Sequence, residues 1–166
     1  ETCAQMLQEG IHTKIIKHIC NSAGIERFAQ YQFDMCRVGI GMYGISFAHR
    51  TLNNVCTLRT TIISLKTVSA GETIGYGRHT LLQQDRTIAV IPIGYADGYD
   101  RRLSNYAGEV IVRGKRCPVV GSICMDQAMI DVTDTDAQVG DAVEIFGDKL
   151  PLEELSNKLQ TIPYEI

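Results

Sequence analysis

Val110-Ile111-Val112-Arg113-Gly114-Lys115-Arg116-Cys117-Pro118-Val119-Val120 is the stretch that decides the fold. Two apolar runs flank Arg113-Gly114-Lys115, and such short strands around a glycine turn read as a tight β-hairpin. Outward from it the same period of two recurs. Residues 58–68 alternate apolar and polar, and Ser69-Ala70-Gly71-Glu72 makes a turn. Residues 87–93 form an apolar strand, and 129–132 and 142–146 add two more, separated by the turn-rich stretch 134–141. Many short strands at regular turn spacing predict a small β-barrel or sandwich. Only 151–159 breaks the pattern: Pro151 suits a first helical turn, and Leu152, Leu155 and Leu159 share one helix face.

Upstream of residues 50–57 the order changes. Residues 2–9 read as a short helix and 15–19 as a strand, and Asn21 or Ser22 offers a helix cap. A second short strand leads into Arg37-Val38-Gly39-Ile40. Strand, helix, strand is the order of a βα barrel or a doubly wound sheet. The polar stretch 49–54 reads as a linker, so the expected organisation is a βα portion over 1–50 and a β domain over 51–166.

Length and composition bound the rest. At 166 residues the chain is too short for a complete (β/α)₈ barrel, which needs roughly 200. Hydrophobic residues make up 45% and charged residues 21%, as in ordinary globular domains rather than disordered or fibrous chains. No apolar run is long enough for a transmembrane helix, and Glu1-Thr2-Cys3 opens neither a signal peptide nor an initiator Met. The absent Met points to a trimmed chain or a fragment. A net charge of −3 gives no basic footprint for nucleic acid. Cys3, Cys20, Cys36, Cys56, Cys117 and Cys124 lack paired spacing, so reduced thiols are expected and no metal site.

Several motifs carry chemistry. Gly39-Ile40-Gly41-Met42-Tyr43-Gly44 spells G-x-G-x-x-G, but no helical stripe follows, and Asn53 and Val55 occupy the acidic residue's neighbourhood, which excludes a dinucleotide fingerprint. What survives is a glycine-lined strand end whose N–H groups suit an anion. His18-Ile19-Cys20-Asn21-Ser22-Ala23 is a second strand end entering a helix at a hydroxyl residue; alone Ser22 is a plain cap, but two such loops in succession fit a phosphate site. Arg37 supplies a cation whose bland reading is a surface ion pair. Gly75-Tyr76-Gly77 strips the cover from a tyrosine, so that its phenol can face a cleft, against the ordinary reading of a half-buried strand residue. Residues 93–99 form a second tyrosine-rich turn; Asp97 and Asp100 are too sparse for a calcium loop. Cys124-Met125-Asp126-Gln127 closes a strand, with Met125 by default a core residue.

Together these segments resemble the C-terminal part of the alanine racemase family: HICNSA (18–23), RVGIGMYG (37–44), GYG (75–77), GYADG (94–98), PVVGSICMDQ (118–127), MIDVT (129–133) and the closing Pro163-Tyr164-Glu165. The order matches over nearly the whole chain. The resemblance implies a truncated pyridoxal-phosphate-binding TIM-type (β/α)₈ barrel, present as its last βα elements, followed by a mainly β C-terminal domain incomplete at its end. It implies that Ser22, Gly39 and Ile40, with Asn21 in the same loop and Tyr164, hold the cofactor phosphate. Arg37 would face the pyridine nitrogen with His18 behind it, and Tyr76 would move the alpha proton on one face. Met125 would offer its backbone amide to the substrate carboxylate, and Tyr95 would guard the entrance beside Cys124 and Asp126. The resemblance further implies a head-to-tail homodimer with shared sites, L- and D-alanine as substrates, D-alanine for peptidoglycan, and the bacterial cytoplasm.

The chemistry suits these residue types. Racemisation takes a proton from one face and returns one to the other, so it needs two opposed bases. A phenol, with an ordinary pKa near 10, needs a nearby cation to serve as one. A guanidinium keeps its proton, so the ring nitrogen it faces stays unprotonated, which favours proton return over transamination. Departures remain. No lysine here stands in the family's cofactor-carrying motif, the chain stops before the family's final strands, and Ser122 occupies a position often Arg. The chain alone is therefore expected to be inactive. One rival is a serine racemase of the vancomycin-resistance type, against which Tyr164 counts; the other is a non-catalytic β-barrel binding module, which assigns no role to residues 18–40.

Overall fold

The computed structural model describes residues 2–10, 15–49 and 51–166. The chain divides into two compact units after Val55.

The first unit contains helix α1 (Thr2–Gln8), helix α2 (Ser22–Arg27) and two 3-10 turns, Ala29–Tyr31 and Ile40–Tyr43. Asn21, in extended conformation, caps α2 by accepting from the Gly24 N–H at 3.0 Å. Neither the strand expected over 15–19 nor the one expected to lead into 37–40 carries a ladder among the described residues. Residues 17–20 and 34–37 touch through Asp34 N–H to Lys17 O (3.1 Å) and Arg37 N–H to Cys20 O (2.9 Å). Two bonds three residues apart do not have the even two-residue spacing of a parallel ladder, and the Ile19 carbonyl between them accepts from the Arg37 side chain instead. The second stretch then coils at Ile40, because the Gly39 and Gly41 N–H groups both turn toward the Ser22 hydroxyl.

The second unit is built on strands β1 (Leu58–Thr61), β2 (Ser64–Val68), β3 (Thr73–Ile74), β4 (Thr80–Leu81), β5 (Arg86–Ile91), β6 (Glu109–Val112), β7 (Lys115–Val120), β8 (Ala128–Asp131) and β9 (Ala142–Phe146), with helix α3 (Leu152–Leu159) after them. Seven strands form one antiparallel sheet in the order β1-β9-β6-β7-β8-β5-β2, and β3-β4 form a separate small hairpin. The two outermost strands, β1 and β2, are joined by only Ile62 and Ile63. The Ile62 N–H donates to Asp141 O on the β9 side (3.0 Å), and the Ile63 N–H donates to Val90 O on the β5 side (2.9 Å). One bent strand thus serves both edges and closes the sheet on itself, leaving no long open edge. This is the small β-barrel expected from the strand spacing, with the strand read over 58–68 broken at its middle.

Alternation explains the core. Ala89, Ile91, Val110, Val112, Cys117, Val119, Ile130, Val143 and Ile145 point inward and are buried. Burial pushes the Cys117 thiol up to about 11, and the nearby Asp131 adds to it. Ile88 and Val120 point the other way and are covered, with Ile74 and Leu82, beneath the β3-β4 hairpin. Between β6 and β7, Arg113 (φ 48°) and Gly114 (φ 82°) make the two-residue turn that suits hairpin twist. Pro151 caps α3, whose Leu155 and Leu159 join the core. Arg116 of β7 grips Glu154 of the helix through two bonds of 2.6 and 2.8 Å, and Lys158 reaches Glu109 at 2.9 Å. Among the described residues no helix is long and apolar enough to cross a membrane.

Candidate active site

The first unit supplies a donor cluster. Ser22, the first residue of α2, is 6% exposed, and its Oγ accepts from the N–H groups of Gly39 (2.9 Å) and Gly41 (3.2 Å). Capping by the neighbouring Asn21 is what leaves this hydroxyl free to point away from its own helix. An oxygen that already accepts twice keeps its own proton to donate, while the two glycine N–H groups are taken up in holding it. A Cβ on residue 41 would stand 3.5 Å from the Ser22 Oγ, so glycine keeps the ground beside the hydroxyl open. A hydroxyl held with its proton free on a glycine-lined loop, with buried Ile40 in the same turn, suits one oxygen of a phosphate monoester. Asn21 takes part through the cap rather than through this cluster. Arg37 donates from its guanidinium to the Ile19 carbonyl at 3.3 Å, and His18 lies exposed on the extended stretch one residue earlier.

The second unit brings five predicted residues together. Tyr76, Tyr95, Cys124, Met125 and Asp126 line one cavity of about 580 Å³. They come from three separate stretches, and backbone contacts explain the meeting. Tyr95 N–H donates to Cys124 O (3.0 Å) and Ala96 N–H to Met125 O (2.9 Å), locking the 94–98 turn to the 124–127 strand end. A Cβ at Gly94 would overlap the Cys124 and Met125 carbonyl oxygens, so only glycine permits this approach. Asp97 closes the turn by accepting from the Gly94 N–H at 2.9 Å. The other loop is held by Gly75 (φ +83°), where a Cβ would come 3.1 Å from Ser122 N and 3.2 Å from Gly121 Cα. Tyr76 stands on that loop at 85% exposure. Tyr164 does not line this cavity; it sits exposed on the 3-10 turn Pro163–Glu165.

Five further residues border the cavity: Gly77, His79, Arg101, Ser122 and Ile123. The Arg101 guanidinium lies 5.8 Å from the centre of the Tyr95 ring, a cation–π distance. His79 and Arg101 follow tyrosine turns in sequence, but a charged residue after a turn reads equally well as solvated surface, and only the folded loops reveal them. Chemically the cavity offers two phenols, an imidazole, a guanidinium, a carboxylate and a thiol. The exposed phenol of Tyr76 has room for a reacting group beside it, and the cationic side chain of Arg101 attracts small carboxylates.

Comparison with known proteins now bears on the whole chain. The family model described as alanine racemase, C-terminal domain, matches residues 55–166, and that for the N-terminal domain matches residues 1–47. The alanine racemase of Halothermothrix orenii is 44% identical over 161 residues, covering 91% of this chain and 42% of that protein. That of Clostridium tetani is 39% identical over 175 residues, covering 99% and 45%. Among solved structures, the Bacillus anthracis alanine racemase with bound L-Ala-P superposes with a TM-score of 0.89 at 32% identity, over 99% of this chain and 44% of that one. The Bartonella henselae alanine racemase with covalently bound pyridoxal phosphate gives 0.85 at 35%, over 98% and 46%. The chain thus spans under half the length of the relatives it matches. With its β unit matched from residue 55 to residue 166 by a single family model and its upstream residues matched by the companion one, the chain belongs to the alanine racemase family.

Proposed function

We propose that these residues form the C-terminal part of a pyridoxal-phosphate-dependent alanine racemase that interconverts L- and D-alanine and supplies D-alanine for peptidoglycan. The observation that carries the reading is the meeting of Tyr76, Tyr95 and Met125, from three distant stretches, at one cavity. A binding module without catalysis has no need for an uncovered phenol held between two left-handed glycines.

Pyridoxal phosphate, when bound, supplies the conjugated ring that accepts the charge left behind by the departing alpha proton. Ser22 would donate its hydroxyl to the cofactor phosphate, with Gly39 and Ile40 beside it, Asn21 holding the loop through its cap and Tyr164 adding a phenol. Arg37 would face the pyridine nitrogen and, because a guanidinium keeps its proton, would leave that nitrogen unprotonated. Tyr76 takes the alpha proton on one face and returns it in the reverse direction. The opposed base is a lysine that we place outside this chain. Met125 would receive the substrate carboxylate on its backbone N–H, and Tyr95, with Cys124 and Asp126, narrows the entrance and excludes water. The exposure of Tyr76 supports a head-to-tail homodimer in which this loop enters the partner's site. We place the enzyme in the bacterial cytoplasm.

The test is turnover by the complete enzyme that contains these residues. Circular dichroism following L-alanine should show decay to the racemate, with L-serine turned over far more slowly. Preference for L-serine would overturn the substrate assignment, and no racemisation of either amino acid would overturn the activity.

A further inference from the structure

We propose that His79 is a positioning residue for Tyr76: its imidazole braces the glycine arch on which that tyrosine stands. The inference rests on the reading of Tyr76 as a proton-transfer group. Pairing of Thr73 with Leu81 and of Ile74 with Thr80 closes residues 75–79 into a five-residue loop, so His79 and Tyr76 share one short arch. One foot of the arch is fixed by backbone, where Gly75 lies against Gly121 and Ser122. Arg78 ties the loop internally, its N–H donating to Gly75 O (3.1 Å) and its Nε to Thr73 Oγ1 (2.9 Å).

The other side of the arch is held by a ring. At Gly77 (φ +82°) a Cβ would come 2.5 Å from Nε2 and 2.7 Å from Cδ2 of His79, so the imidazole edge fills the ground over Gly77, next to Tyr76. Tyr76 itself is 85% exposed within its unit, so no packing there fixes its ring. Its placement follows from the backbone of the loop. Removing the imidazole leaves a double-glycine loop with one wall missing, and glycine has the widest conformational range of any residue. His79 also borders the same cavity, with Arg101 and Asp126 as the charged groups facing it. Its role is carried by shape: the flat edge lies on Gly77.

The test compares His79→Ala with His79→Phe, which keeps a flat ring edge over Gly77. In the 166-residue chain labelled with 3-fluorotyrosine, the ¹⁹F resonance lost in Tyr76→Phe identifies Tyr76. It should shift and broaden in His79→Ala and return toward its original position in His79→Phe. In the complete enzyme, His79→Ala should slow alpha-proton exchange of L-alanine by ~10- to ~100-fold, the cost of a reacting group displaced by about 1 Å, with D-alanine less affected. His79→Phe should recover most of that loss. An unchanged ¹⁹F signal in His79→Ala overturns the proposal, as does equal slowing of both enantiomers or failure of the Phe variant to rescue. Tyr76→Phe run in parallel separates the two ideas. If it slows both enantiomers equally, the role assigned to Tyr76 fails, while the ¹⁹F comparison still decides the brace.

Discussion

Replacing Tyr76 by Phe removes one oxygen from a ring that is 85% exposed. Truncation there opens no cavity and strips no buried partner, so folding stability should move by less than about 0.5 kcal/mol. Any larger effect on rate is then chemical. A general base commonly contributes on the order of 10²–10⁴-fold, or about 2.7–5.4 kcal/mol of barrier. The loss should be one-sided, because the opposed base still serves the other face. The equilibrium between L- and D-alanine cannot move, so the asymmetry appears in exchange rather than in the endpoint. In deuterated water, with the complete enzyme, loss of the alpha-proton NMR signal should slow for L-alanine by at least ~10² while D-alanine is far less affected. Tyr95→Phe, which alters the entrance, should affect both enantiomers alike. Equal slowing of both by Tyr76→Phe would mean that the hydroxyl only shapes the cavity, and the assignment of a base would fall.

Four other outcomes are expected. Ser22→Ala strands the Gly39 and Gly41 N–H groups, so amide exchange at both should accelerate and the first unit should lose about 1–3 kcal/mol; unchanged exchange would contradict the donor cluster. Gly94→Ala forces a methyl into the Cys124 and Met125 carbonyls and should cost more than about 2 kcal/mol in urea unfolding, whereas a neutral substitution would mean the two loops are not locked together. The Tyr99 hydroxyl is buried without a hydrogen-bond partner among the described residues, and burial holds its pKa well above the ordinary phenol value, so Tyr99→Phe should be neutral or stabilising by up to about 1 kcal/mol; a clear loss of stability would reveal a partner for the hydroxyl. Arg116, with Lys158 second, holds the Glu154 carboxyl below its ordinary value. A lowered folded pKa stabilises above the unfolded value, near 4.3, and that contribution is lost as pH falls through the carboxylate range. Arg116→Met should therefore flatten the decline in stability between about pH 5 and pH 3, by no more than about 1 kcal/mol because the pair is partly exposed. Parallel declines would show that the ion pair contributes nothing.

The fold was legible where local rules and tertiary demands agree. The hairpin at Arg113-Gly114 announces itself because its two central residues take positive φ, as the twist of flanking strands requires. The bend at Ile62-Ile63 is marked only by two adjacent apolar residues, which interrupt the alternation where the hydrogen bonds switch from β9 to β5. The β3-β4 hairpin is silent: two residues per strand carry no period, and its burial depends on Ile88 and Val120 pointing out of the barrel. Upstream, residues 15–19 and 37–40 have the apolar character of strands. A strand is completed by its neighbours, and among the described residues only two backbone bonds join 17–20 to 34–37.

At the candidate site, glycine-flanked tyrosines were readable because glycine beside an aromatic ring is costly unless the backbone must turn or approach closely. Gly75 and Gly94 do both or one of these against the 121–125 strand end. His79 and Arg101 escaped notice because their roles depend on where two loops land. Ser22 shows the limit most sharply. Asn21 and Ser22 are both good caps, and sequence alone ranks them nearly equal. Only one residue can hold the extended conformation that precedes the first helical turn, and Asn21 holds it, with its side chain spent on Gly24. Ser22 is then already helical, so its hydroxyl cannot cap and must find donors elsewhere. It finds them in the N–H groups of Gly39 and Gly41, which leaves the Ser22 proton free to donate only because Asn21 took the cap first.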